Sequence, residues 1–433
     1  MRLRWNMHKQ MRAGQPQWMP FAGTGMSLRS LRQCLLAAVP LAWMFICSGA
    51  HAGATSWRIG ELSSYAHYPQ FAQPYRRGWE LAVEQINAAG GAGGKPLQVI
   101  SLDDGGTRQS ASRRAQELVV QYEVDILAGT YLSNVGLSVS NIAAKTRRVF
   151  IAAGPQTDAL TWDHGNRYTF RLRPSTWTQV AMLAEQAAAM PARRWAIVAS
   201  NYEYGQSAAA NFRAMLKQRR PDVEFVAEQW PALGKIDAPV VMSALARARP
   251  DAVFNATFGP DLLKLLQESA RTRVFEQARL VSMASGEPEV VRLLQSSALA
   301  GWVIAGYPAA EITLPGFQRF RQAYVQRYQQ EPQLASLIGY TMILAIAQAF
   351  ELAQDSDSEK LLTTLRGMEF DSPLGKLSFR AVDQQSTMGA FIGRYSPRVQ
   401  PGAPRVQWTY AAGERFLPSE DVVRSRRPAS AMR

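Results

Sequence analysis

Cysteine is nearly absent from the 433 residues: Cys34 and Cys47 are the only two. Beyond residue 47, therefore, no disulfide staples the chain and no thiol can do chemistry. Histidine is almost as scarce, with four in all and only His67 and His164 after residue 52. There is no His-Glu-x-x-His, no Cys cluster and no Gly-x-Ser-x-Gly, so zinc hydrolysis and nucleophile-elbow chemistry lack their parts. The glycines between 90 and 94 precede a strand instead of following one and opening a helix. They make a turn, not a phosphate loop. Asp103-Asp104 could touch a metal, yet a strand-end turn explains the pair. No metal, cofactor or catalytic residue is expected.

Acidic residues are also in short supply. Lys and Arg number 48 against 34 Asp and Glu, a formal charge of +14. Residues 1–52 hold Arg2, Arg4, Lys9, Arg12, Arg29 and Arg32 and no acid. From Glu414 onward, five Arg face Glu414, Glu420 and Asp421. What remains over the body is modest and holds no dense Lys/Arg run, so it reads as a mixed solvated surface and not as a nucleic-acid groove. At 47% hydrophobic and 19% charged, the composition excludes wholesale disorder, collagen and a disulfide scaffold.

Long apolar runs are missing as well. The run 34–46, Cys-Leu-Leu-Ala-Ala-Val-Pro-Leu-Ala-Trp-Met-Phe-Ile, is shorter than the about 18–20 residues that span a bilayer. Arg29 and Arg32 precede it, and Ala50-His51-Ala52 follows as a small-residue cleavage site. This is the layout of a secretory signal, expected over 1–52, with Met26 as the expected start. An uncleaved anchor is the alternative. Met44-Phe45-Ile46 before Cys47 lacks the small residues of a lipid-modification site.

Beyond the signal, short apolar runs alternate with longer amphipathic ones. Strands are expected at 57–62, 97–102, 126–128 and 149–152, with helices at 75–88, 110–122 and 135–145 between them. In the helix at 75–88, Trp79, Ala82, Val83 and Ile86 share one face, and Gly90-Gly91 stops it. The alternation restarts with strands at 195–200, 223–229, 252–256 and 279–283. Long helices follow at 315–328 and 336–352, then late antiparallel strands near 379–381 and 389–394. Strand–helix alternation with short turns implies parallel sheets covered on both faces. The fold class is α/β, in two similar doubly wound halves. After about residue 413 the periodicity fades, so 414–433 is expected as a disordered basic tail.

Arg77-Gly78-Trp79-Glu80-Leu81-Ala82-Val83-Glu84-Gln85-Ile86-Asn87-Ala88-Ala89-Gly90-Gly91 resembles the first helix of the leucine/isoleucine/valine-type periplasmic binding proteins, the solute receptors of ABC importers. The likeness continues through Leu102-Asp103-Asp104, 129–134, Ala153-Gly154, Phe170-Arg171-Leu172-Arg173-Pro174-Ser175, Tyr204-Gly205-Gln206, Pro250-Asp251-Ala252-Val253-Phe254, Leu299-Ala300-Gly301 and Ser372-Pro373-Leu374-Gly375. No single motif decides it; the ordered set does. The resemblance implies two Rossmann-like lobes joined by a three-strand hinge, with a solute cleft between them. Lobe 1 would be 57–174 plus 307–370 and lobe 2 would be 175–306 plus 371–413. It also implies a periplasmic monomer whose partners are a small solute and an inner-membrane ABC permease, with no nucleic acid.

The resemblance carries site residues too. Ser133 opens the helix after the strand ending at Gly129, where it can serve as an N-cap. With Asn134 and the free amides of that turn it would hold a solute carboxylate. Gly154 would offer a carbonyl to a solute ammonium, and Gln156 or Thr157 would supply a polar group. Tyr204, or Tyr202, would cover the solute from lobe 2. Where amino-acid binders of the family place an acid for the ammonium, this chain has Ala284 or Ser285, with Glu287 a few residues late. Either Glu287 serves, or the solute carries no ammonium, because a buried unpaired ammonium is expensive. Phe71 falls where the family has a carboxylate-binding Tyr, and Tyr68 could substitute. The aromatics around Tyr65, Tyr68 and Phe71 hint at an apolar or aromatic solute. Phe258 and Tyr307 could face the cleft or sit in the core. The polar run 383–389 reads as hinge.

The expected function is a solute-binding protein of an ABC importer, for a branched-chain amino acid or a related small carboxylate, aromatic ones included. A ligand-binding sensor feeding a signalling receptor is the alternative. An exported enzyme is disfavoured by the missing catalytic sets.

Overall fold

The computed structural model describes residues 56–293, 301–396 and 406–432. The expected signal segment 1–52 and start Met26 lie outside these residues. The chain first runs β1 (Trp57–Ser63), α1 (Pro69–Ala88), β2 (Leu97–Asp103), α2 (Arg108–Val120), β3 (Ile126–Gly129), α3 (Ser133–Thr146), β4 (Val149–Ala152) and β5 (Thr169–Arg171). It continues through α4 (Thr176–Ala188), β6 (Arg194–Ala199), α5 (Glu203–Arg219), β7 (Glu224–Gln229), α6 (Ala238–Ala248), β8 (Ala252–Ala256), α7 (Gly259–Thr272), α8 (Val274–Gln277), β9 (Arg279–Gly286), α9 (Pro288–Leu293) and β10 (Val303–Gly306). Then come α10 (Pro315–Tyr328), α11 (Leu334–Ala353), α12 (Ser358–Leu365), β11 (Glu369–Ser372), β12 (Gly375–Ser378), β13 (Ala390–Tyr395), β14 (Val406–Ala411), α13 (Glu420–Arg426) and α14 (Ala429–Met432).

Two sheets result. The first is parallel in the order β2-β1-β3-β4-β5. The second has the order β14-β13-β10-β9-β8-β6-β7, with β13 and β14 antiparallel to their neighbours. Strands such as β3, β4 and β8 are buried at every residue, as sheets covered by helices on both faces require. In each sheet the strand order reverses once, between β1 and β3 and between β6 and β8. Such switch points leave a crevice at the carboxyl ends of the strands.

Each sheet has its own core. The first gathers residues from 57–172 and 307–388. The second sheet packs side chains from 180–305 and 390–411 on its two faces. Three crossovers therefore join the lobes: 172–175, 307–314 and 379–389. The handover from lobe 1 to lobe 2 expected at 370/371 occurs later. Leu377, Phe379 and Met388 pack in the first core, because the β11–β12 hairpin folds against that lobe and not the other.

The helix predicted from the Gly78 segment is α1, and it lies against α11 at backbone distance. A Cβ on Gly78 would stand 2.0 Å from the Ser336 carbonyl oxygen, and one on Gly339 would stand 2.2 Å from that of Tyr75. Only glycine at both positions lets the two helices meet this closely. By length and composition α11 could cross a membrane, but 72% of its apolar window is buried inside the protein.

The C-terminal segment is ordered, against the expectation of a disordered tail over 414–433. Ser419 caps α13 by accepting the Val422 amide, Val423 is fully buried, and Arg427 is 4% exposed. The helix is too short to register as a periodicity; Arg424 and Arg426 stay exposed, while Arg427, just past its end, is the arginine that packs inside.

Candidate functional site

A cavity of about 390 Å³ opens between the two sheets, within the range typical of small-molecule sites. Its wall takes Phe71, Tyr131, Ser133 and Gln156 from the first lobe and Gln179, Tyr202, Tyr204, Phe258, Met283 and Glu287 from the second. Arg173, on the first crossover, projects into it. Leu334, Leu337 and Ile338 of α11 form an apolar side.

The aromatic part of the wall is continuous from lobe to lobe. The Phe71 and Tyr131 rings stack at 3.9 Å between centroids. Tyr131 meets Phe258 edge-on at 5.8 Å, and Phe258 meets Tyr204 edge-on at 5.6 Å. Tyr202 lies 6.1 Å from Phe258. Arg108 of α2 also pairs with Glu203 of α5 at 3.4 Å. The lobes therefore touch over the cavity. Burial raises the hydroxyl pKa of Tyr131, Tyr202 and Tyr204 above the ordinary phenol value, so all three face the cavity neutral.

The polar part is built for negative charge. Four helices, α3, α5, α7 and α11, start at the cavity wall, each with amides that no helical carbonyl takes. The aligned dipoles bring positive potential to the same space. Arg173 adds a full charge. Burial pulls its pKa down, while the nearby Tyr131, Tyr204, Glu287 and Tyr202 pull it up. Among the described residues its guanidinium forms no hydrogen bond and no ion pair. A half-buried cation without a hydrogen-bonded partner is incompletely solvated, and an anion entering the cavity would relieve that cost.

The expected site residues divide into two sets. Ser133, Gln156, Tyr202, Tyr204 and Glu287 are brought together on the cavity wall. Ser133 does not cap its own helix, however: the N-cap is Leu132. Its Oγ instead accepts the amides of Gln156 and Thr157 at 3.3 and 3.2 Å. Two amides donating into Oγ leave its own proton for another acceptor. Gln156 Nε2 donates to Gln179 Oε1 at 2.6 Å, and Gln179 Nε2 donates to the Met283 carbonyl at 2.7 Å. That chain crosses from one lobe to the other beside the cavity.

The remaining four stand behind the wall. Asn134 accepts the Val135 amide with its own Oδ1. Thr157 is buried and holds Ser133 through its amide. Gly154 donates its amide to the Thr130 carbonyl, and a Cβ there would lie 2.6 Å from that oxygen. It lets two turns approach and does not reach the cavity. Tyr68 packs on Tyr131 at 5.4 Å and on Phe258 at 6.3 Å. At the acid slot, Ala284 is half-buried on the wall and Ser285 is turned into the sheet, sharing a 2.6 Å hydrogen bond with Ser282. Phe258 faces the cleft, whereas Tyr307 is 1% exposed and packs on Phe317. Asp103 and Asp104 hold turn amides of Ala66, Gly105 and Gly106.

The family profile for periplasmic binding proteins matches residues 60–400. The chain belongs to that family. It is a type I periplasmic binding protein of the leucine/isoleucine/valine kind, as the ordered motifs imply, and membership implies a periplasmic location. A leucine-, isoleucine-, valine-, threonine- and alanine-binding protein of Pseudomonas aeruginosa is 24% identical over 319 residues, covering 72% of this chain and 82% of the relative. A Rhodopseudomonas palustris ABC-transporter solute-binding protein in complex with 3,4-dihydroxybenzoic acid superposes with a TM-score of 0.71 at 20% identity, covering 82% of this chain and 96% of the other. A second solute-binding protein of R. palustris, in complex with 4-hydroxybenzoate, gives 0.71 at 18% identity, covering 83% and 96%. These likenesses bear on the fold of this binding protein.

Sequence reasoning passed over Arg173, Tyr131 and Gln179 as site residues. Arg173 sits in a strand-end run whose other members are core, and the signal was its place just before the Pro174-Ser175 crossover. Tyr131 lies inside the quoted stretch 129–134 but reads as an ordinary turn aromatic.

Proposed function

We propose that this binding protein captures a small aromatic carboxylate in the periplasm and delivers it to an ABC permease. The single observation that carries the reading is the Arg173 guanidinium, without a hydrogen-bond partner of its own, inside a cavity walled by Phe71, Tyr131, Tyr202, Tyr204 and Phe258. A carboxylate pairs with the guanidinium and with the positive end of α3, where Ser133 offers its hydroxyl proton. The ring then takes the aromatic slot, where offset and edge-on contacts each add about 0.5–1.5 kcal/mol. The absence of an acid at Ala284 and Ser285 favours a solute without an ammonium. The benzoate-type acids bound by the two R. palustris neighbours have this chemistry.

A branched-chain amino acid is the second reading, favoured by Glu287 on the wall and by the P. aeruginosa relative. Calorimetry with benzoate, 4-hydroxybenzoate and leucine separates the two. The aromatic acids should bind and Arg173→Met should abolish that binding. Tight leucine binding with no response to benzoate overturns the reading.

A further inference from the structure

After β14 the chain leaves the second lobe and crosses to the first. β14 pairs with β13 from Ala390↔Ala411 to Tyr395↔Val406. Gly413 then presses on the third crossover: a Cβ there would lie 2.4 Å from the Met388 carbonyl oxygen and 2.5 Å from that of Thr387. Arg380, which forms an ion pair with Asp383, donates to the Pro418 carbonyl at 2.6 Å. Past α13, Arg426 pairs with Asp163 at 3.2 Å and lies over the Trp162 ring at 5.2 Å. The segment therefore makes a fourth crossing between the lobes, and it lies beyond the 60–400 stretch that the family profile matches.

Arg427 is the end-point of this crossing. Its Nη1 donates to the carbonyls of Thr161 and Asp383, and its Nη2 to those of Asn166 and Ala431 and to Gln384 Oε1. Thr161 and Asn166 belong to a first-lobe loop, while Asp383 and Gln384 belong to the third crossover. One buried guanidinium thus holds crossover and loop together with the tail. Gln384 has φ of 59°, the left-handed region that a residue with a Cβ enters only under constraint. The constraint is visible. The Gln384 carbonyl accepts the Arg171 amide at 2.9 Å, its Nε2 donates to the Arg167 carbonyl at 2.6 Å, and its Oε1 receives Arg427. The next residue leads to the cavity. Arg171 donates to Gln385 Oε1 and to the Thr157 carbonyl, and the Thr157 amide donates to Ser133 Oγ.

The geometry points to residues 412–432 as a hinge strap, with Arg427 as a positioning residue that fixes crossover residues 383–385 to the first lobe. Bending is then confined to the end of the crossover after Ser386, and the closed state, which holds the solute, is favoured. The inference rests on solute capture between two lobes and on no particular solute.

Hydrogen exchange on the ligand-free protein tests it without a solute. In the unaltered chain, the amides of Gln384 and Ser386, bonded to the Arg380 and Arg171 carbonyls, should exchange at the same rate as those of Val423 and Arg427, as one cooperative unit. Arg427→Met should speed the crossover amides by about tenfold or more, since hydrogen bonds to a charged group are lost. It should also raise the radius of gyration seen by small-angle scattering. Arg427→Lys, which keeps the buried charge with fewer donors, should give an intermediate rate, and Arg424→Ala, whose exposed side chain pairs only with Glu420 of the same helix, should change neither readout. If Arg427→Met fails to fold, the unaltered chain and Arg427→Lys still decide. A tail that exchanges much faster than the crossover, or a variant in which only 420–432 loses protection, overturns the strap.

Discussion

Asp158 of the first lobe accepts the backbone amide of Trp177, in the first turn of α4 in the second lobe, at 2.9 Å. Its other oxygen takes the Ser207 hydroxyl at 3.0 Å and the Asn211 side-chain amide. The carboxylate is 5% exposed and sits at a helix start, where negative charge is favoured. It ties the lobes together beside the first crossover. Asp158→Ala leaves the Trp177 amide and the buried Asn211 side-chain amide without this acceptor and should destabilise the protein by about 2–4 kcal/mol. Urea unfolding followed by circular dichroism measures this. A loss under about 0.5 kcal/mol, the scale of a surface substitution, would show that water replaces the carboxylate freely.

Ser133→Ala removes the oxygen that receives the Gln156 and Thr157 amides. The turn loosens and the cavity loses a donor. Solute affinity should fall about 5- to 30-fold, the equivalent of about 1–2 kcal/mol, in a chain that still folds with a lowered melting temperature. Calorimetry with whichever acid binds the parent protein checks it; equal affinity removes Ser133 from the site.

Glu287 separates the two solute readings. With an anionic ring in the cavity, its carboxylate repels, so Glu287→Gln should hold or tighten benzoate-type binding. With an amino acid, the same substitution should weaken binding by about tenfold or more, because an ammonium loses its counter-charge. A titration of each variant with both solute types gives the answer.

The buried Glu61 on β1 should make stability depend on pH. Burial raises its pKa from 4.5 to about 8 against the hydrogen bonds from Ser101 and Tyr65. The folded state therefore holds this proton more tightly than the unfolded chain does. Its contribution is complete below about pH 4.5 and is lost as pH rises through about 8. Glu61→Gln, which mimics the protonated form, should be the more stable protein at about pH 9 and should flatten the decline between about pH 5 and 9. Melting curves across that range check the sign. Parallel declines for both proteins would assign the pH dependence to another group.

Much of the fold was readable because its signals are repetitive. The alternation from β1 to β10 rests on aliphatic runs such as Ile126-Leu127-Ala128 and Val149-Phe150-Ile151, and each is long enough to declare a period. The tail was not readable, since α13 has 7 residues and is held by an arginine two of whose acceptors, Thr161 and Asn166, lie 266 and 261 positions away. The same limit applied to the cleft. Ser133 and Tyr204 could be placed by motif, but the use of Ser133 Oγ depends on a neighbouring turn that only the folded sheet brings near. Arg173 was hidden for a related reason: a lone cation in a strand-end run reads as a solvated group until the opposite lobe closes over it.

One contact at the hinge has an optical consequence. The Trp162 and Trp177 rings lie 5.4 Å apart at 60°, one in the loop held by the tail and the other at the start of α4. Two indoles this close couple their transitions, and the coupling fades steeply as they separate. The protein thus carries a built-in chromophore pair across its hinge, and the near-ultraviolet dichroism of the unlabelled chain should report lobe opening directly.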